Sequence, residues 1–103
     1  MTQRLKRRRG SGNVFRDLGF PEDEARNLAL RSELMVRIWQ FVKASGLTQT
    51  EVAGRLGLTQ PRLNALLRGK IEQFSLDALV NIATRAGLRV VLKVGKIPAQ
   101  NAA

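Results

Sequence analysis

The stretch LTQTEVAGRLGLTQPRLNALLRGK, Leu47 to Lys70, decides how this chain is read. It spells two helix starts close together. Thr48 precedes Gln49 and is followed three residues on by Glu51, a capping box in which each side chain satisfies a free backbone N–H near the other. Thr59 repeats the capping signal, with Pro61 in the first turn, where its missing N–H costs little. Val52, Ala53 and Leu56 give the first helix an inner face, and Leu63, Leu66 and Leu67 do the same for the second. Gly57 stops the first helix at a position that calls for a positive φ, and Gly69 ends the second. Two helices joined by a short turn containing Gly form a helix-turn-helix.

In that arrangement the first helix anchors across a phosphate backbone and the second lies in the major groove. With the three leucines inward, Gln60, Pro61, Arg62, Asn64, Ala65 and Arg68 are left on outer faces. Gln and Asn pair bidentately with adenine, and Arg with guanine. The expected base-reading set is therefore Gln60, Pro61, Arg62, Asn64 and Ala65. Gln49, at the start of the first helix beside free N–H groups, is placed for a phosphate. Thr59, Arg68 and Lys70 join it in holding the backbone. The alternative is that Gln60 and Asn64 are ordinary solvated polar residues. The capped pair, the Gly joint and the charge of the chain together favour DNA.

Outward from this core, the 103 residues suit one domain. The formal charge is +10, from 18 basic and 8 acidic residues, which favours a polyanionic partner. Aromatic residues make up 5%, too few for a base-stacking platform. No Cys or His is present, which removes disulfides, thiolate chemistry, Cys/His zinc sites and the commonest general base. No nucleophile–base pair, cofactor motif or metal set can be assembled, so an enzyme is not expected. No apolar run approaches membrane-spanning length and no signal-peptide core follows the basic start, so a cytoplasmic protein is expected.

Residues 1–12 carry Arg4, Lys6, Arg7, Arg8 and Arg9 without an acid. They read as a disordered basic arm, either a DNA-contacting one or a solvated tail. The helix-turn-helix domain is placed at 13–95 and a flexible tail at 96–103. Val14, Phe15, Leu18 and Phe20 suggest a short helical turn ended by Gly19. Pro21 at a first helical position and Glu22, Asp23 and Glu24 open a helix over about 22–44. Its expected apolar stripe is Ala25, Leu28, Met35, Trp39 and Val42, with Leu34, Ile38 and Phe41 beside it. Ser32 is a possible new cap, so a break there stays open. Ser75 caps a fifth helix, with Leu76, Leu79, Val80, Ile82 and Ala83 inward and Gly87 closing it. Leu88, Val90, Leu92 and Val94 alternate with Arg89, Val91 and Lys93, the pattern of a half-buried strand.

The same stretch resembles the lambda-repressor/Cro-like, or XRE, helix-turn-helix family. NVFRDLGF, LTQTEVAGRLG, LLRGK and FSLDALVNIATRAGLRVVLKV together resemble its HigA-type antitoxin branch, over residues 13 to 94. Asn64 departs from the pattern, since many relatives carry Ser there. The resemblance implies a mostly α, five-helix lambda-repressor-like domain. It also implies a dimeric autorepressor on a palindromic operator, bound to a RelE-like toxin. The strand supports a homodimer independently, because a lone strand leaves its N–H and C=O groups unpaired. Leu88, Val90, Val91, Leu92 and Val94 would pair with their copies. Pairing with residues 13–15 of the same chain is the competing arrangement. Competing functions are a stand-alone phage- or plasmid-type regulator and an RNA- or membrane-binding protein driven by the arm.

Overall fold

A computed structural model describes residues 12–96. The basic cluster Arg4, Lys6, Arg7, Arg8 and Arg9 lies outside the described residues. Five α-helices follow in order: α1 Val14–Asp17, α2 Glu22–Ser45, α3 Gln49–Leu56, α4 Gln60–Leu67 and α5 Leu76–Arg85. A 3-10 turn, Ile71–Gln73, joins α4 to α5.

Each boundary has a local cause. The Asn13 carboxamide oxygen accepts from the Phe15 and Arg16 N–H groups, capping α1. The three acids expected at the head of α2 lie in its first turn. Pro21 stands one position earlier than expected, as N-cap, with its carbonyl accepting from Ala25 N–H at 2.8 Å. Arg16 and then Arg26 donate to the Glu22 carboxylate and hold its pKa below the usual value. α2 runs unbroken through Ser32, so no new cap forms there. It ends at Gly46, whose φ is 71°. The capping box on α3 is complete: Glu51 N–H donates to Thr48 Oγ1 at 3.1 Å, and Thr48 N–H donates to Glu51 Oε1 at 2.9 Å. Thr59 and Ser75 accept from Arg62 N–H and Ala78 N–H.

α2 is the spine against which α1, α4, α5 and the 3-10 turn pack, while α3 packs mainly on α4 and α5. The core joins Met35 and Ile38 of α2, Val52, Ala53 and Leu56 of α3, Leu63 and Leu66 of α4, and Leu79, Ile82 and Ala83 of α5. Phe74 closes it and is 1% exposed. Phe74 and Leu79 flank the Ser75 cap in the positions of a hydrophobic staple, which fixes how the chain enters α5.

Several inward assignments change. Trp39 is 43% exposed and lies under the Lys43 ammonium, 5.3 Å from the ring centroid. The buried residues of α2 are Ala25, Leu28 and Met35, as expected, with Ile38 in place of Trp39, and Phe41 and Val42 are half-buried beyond them. Leu67, Leu76 and Val80 are half-buried rather than central.

The C-terminal segment differs more. Among the described residues there is no strand. Residues 88–96 follow α5 with no ladder partner, and only Leu88 packs against the core. Pairing with residues 13–15 is ruled out, because Val14–Asp17 is helical. Alternation identifies a segment that suits a pleated, half-covered surface, but it cannot supply the neighbour.

The α3–α4 joint carries the first testable consequence. Gly57 has φ 71°, and a Cβ there would stand 2.7 Å from Arg85 Nε. Gly46 has the same φ with nothing within 4 Å. Gly46→Ala is expected to cost about 1–2 kcal/mol, the left-handed penalty alone. Gly57→Ala should cost more by whatever displacing Arg85 requires. Thermal unfolding of the two variants measures the difference, and an equal loss would mean that Arg85 yields freely.

Candidate nucleic-acid interface

α3 and α4 are packed by small and branched residues. Ala53 and Leu56 on one side meet Leu63 and Leu66 on the other within the core. The turn between them is closed by Gly57 N–H to Gly54 O at 3.3 Å and Leu58 N–H to Ala53 O at 2.8 Å. A second tie joins the two helix starts: Gln60 Nε2 donates to Thr50 Oγ1 at 3.0 Å. Sequence reasoning missed Thr50. Its only signal is that it stands next to Gln49 in the first turn of α3. The contact uses one amide N–H of Gln60 and leaves the carbonyl and the other N–H for a ligand.

The expected site residues separate into three groups. Gln49, Thr59, Gln60, Pro61, Asn64, Arg68 and Lys70 are exposed, on the starts of the two helices, on α4 and just after it. The side chains of Asn64, Arg68 and Lys70 make no hydrogen bond or ion pair among the described residues. Ala65 is half-buried and packs against the core, so its methyl sets spacing more than it presents chemistry.

Arg62 forms the third group alone. It is half-buried, and its Nη1 donates to Gln73 O at 2.7 Å. Its guanidinium carbon lies 4.0 Å from the Phe74 ring centroid. The side chain chosen as a guanine reader is folded back onto its own domain.

The charge of this face is mostly positive, with Glu51 in the first turn of α3 and Glu72 after Lys70 as the acids adjoining it in sequence. α4 contains no acid, and Arg68 and Lys70 follow it directly. Four of the eight acids stand at Asp17, Glu22, Asp23 and Glu24, in α1 and the first turn of α2. The arrangement can bind an anionic groove with neutral amides in front and cations at the rim. No helix among the described residues is long and apolar enough to cross a membrane.

A family model described as a helix-turn-helix domain matches residues 14–95. The chain belongs to that helix-turn-helix family. The match takes in all five helices and the segment after α5 to residue 95. The fold is also similar to a solved structure assigned to the XRE family of transcriptional regulators. That likeness has a TM-score of 0.69 and 28% identity, over 78% of this chain and 90% of that one. No curated protein matches the chain.

Proposed function

We propose that this protein is a sequence-specific DNA-binding transcriptional repressor of the cytoplasm. The observation that carries this is α4. It presents Gln60, Pro61 and Asn64 on an acid-free exposed face that ends in Arg68 and Lys70. Gln60 and Asn64 read base edges in the major groove, while Gln49, Thr59, Arg68 and Lys70 hold phosphates. The XRE-family structural neighbour supports the reading.

The repressor acts as a homodimer on a palindromic operator. Residues 88–94 supply the pairing strand. Val90, Val91, Leu92 and Val94 are 41%, 72%, 82% and 82% exposed, a mostly apolar run whose backbone has no ladder partner among the described residues. A groove of about 420 Å³ beside it is lined in part by Leu30 and Leu34 of α2 and Leu76 and Val80 of α5. An antiparallel ribbon of two tails covers these groups and sets two reading helices about one DNA turn, roughly 34 Å, apart.

The family resemblance extends the proposal to a type II antitoxin that neutralises a RelE-like toxin and represses its own operon. A stand-alone regulator is the second reading, favoured by the regulator assignment of the structural neighbour. Purification with the product of an adjacent gene separates them: a stable complex with a small ribonuclease supports the antitoxin, and no complex leaves the stand-alone regulator.

Selection of bound duplexes from a random pool tests DNA reading. An inverted repeat is expected. Asn64→Ala should weaken the selected site by about 1–3 kcal/mol and relax preference at one position. Lys70→Ala and Arg68→Ala should each weaken all duplexes alike and flatten the salt dependence by about one phosphate contact. Retained preference in Asn64→Ala would remove that residue from the reading set.

A further inference from the structure

The 3-10 turn between α4 and α5 is held by two arginines from different helices. From α2, Arg31 Nη1 donates to Ile71 O at 3.2 Å and to Phe74 O at 3.1 Å. Its Nε donates to Asn27 Oδ1 at 2.7 Å, which orients the guanidinium along α2. From α4, Arg62 Nη1 donates to Gln73 O at 2.7 Å and its guanidinium lies over the buried Phe74 ring. Carbonyls 71, 73 and 74 are all met, and the turn is gripped from both sides. The cations assigned to DNA phosphates, Arg68 and Lys70, lie immediately before it.

We propose that Arg62 is a positioning residue of the DNA interface and not a base reader. With Arg31 it fixes the 71–74 turn, and so the course of the chain that leaves Lys70 at the rim of the interface. This rests on the DNA-binding reading above. The geometry supports it in two ways. A base contact by Arg62 would have to replace a charge-assisted hydrogen bond and a stack on Phe74. A planar fork that both donates and stacks is also a task specific to Arg. Lys70 N–H already donates to Ala65 O at 3.1 Å and Ile71 N–H to Gly69 O at 2.7 Å, so the linker is fixed at its α4 end. Arg62 and Arg31 fix the other end.

The test uses the full chain and the duplex it selects from a random pool. Arg62→Ala and Arg62→Lys are compared with Asn64→Ala, a reader, and Lys70→Ala, a phosphate contact. Both Arg62 variants are expected to lose about tenfold in affinity for selected and unselected duplexes alike. Base preference should be unchanged at every position. Lys should fail to rescue, because it keeps the charge and loses the fork and the stack. Amide hydrogen exchange at residues 71–74 should rise in both variants without DNA, with α2 and α3 unchanged. Relaxed preference at one base pair would make Arg62 a reader. Rescue by Lys would make it a plain phosphate contact. Either overturns the proposal, and so does unchanged exchange at 71–74. If the wild-type chain selects no duplex, the DNA-binding reading itself fails and this role with it, while the exchange result still reports on the clamp.

Discussion

Phe74→Ala is expected to destabilise the fold by about 3–5 kcal/mol, the usual range for emptying a buried aromatic site. Phe74 is the largest of the fully buried side chains and is 1% exposed. It is shared by the turn, α5 and the core, so the surroundings cannot collapse onto the space without moving Ser75 and the start of α5. The substitution also takes the ring from under Arg62. Against a total stability of about 5–15 kcal/mol for a domain, this removes a large fraction. Urea unfolding followed by circular dichroism measures it. Phe74→Leu keeps apolar volume and loses the ring, so it should cost clearly less. A loss under about 1 kcal/mol for Phe74→Ala would show that the site repacks and that Phe74 is not what closes the core.

Phe74 also marks where the sequence stops being legible. The helix ends could be read because each depends on a few neighbouring residues. Thr48 with Glu51, Thr59 with Pro61, Ser75, Gly46 and Gly57 are where their local chemistry requires. A lone aromatic between Gln73 and Ser75 belongs to no periodic stripe, and only its position before a capping Ser hints at a staple. Trp39 failed for the opposite reason. It fits helical spacing, but spacing allows a stripe wider than the neighbours actually cover.

The candidate site divides along the same line. Which residues of α4 face outward followed from pinning Leu63 and Leu66 inward, and Asn64, Gln60 and Pro61 are exposed. What an exposed side chain then touches depends on segments distant in sequence. Arg62 meets a carbonyl 11 positions away, and Arg31 meets carbonyls 40 and 43 positions away. Residue type alone suggested guanine for Arg62 and a possible helix break near Arg31. Neither partner could be found without the fold.

Leu92→Asp combined with Val94→Asp is expected to abolish the dimer and lower operator affinity by about 10²–10⁴, the gain that linking two half-site contacts provides. Both side chains are 82% exposed in the single chain. The charges therefore remove almost no contact within the fold, and thermal unfolding of the monomer should be nearly unchanged. Leu92 lines the α2–α5 groove, and in an antiparallel ribbon Val94, two positions on, would face the same side. Each tail would then bury two carboxylates, and charges pointing inward are how natural sheets block edge pairing. Sedimentation gives the oligomeric state, and binding to a whole operator against a single half-site separates linkage from reading. Half-site affinity should fall only slightly, since α4 is untouched apart from two added negative charges on the tail. If the double variant stays dimeric, residues 88–94 are not the pairing strand and the apolar run serves another surface. If it becomes monomeric but still binds the whole operator at wild-type affinity, the two reading helices are not coupled through the tail. The physical reason for expecting the first outcome is that a run of unpaired, apolar, extended-type sequence is a liability in a lone chain and an interface in a pair.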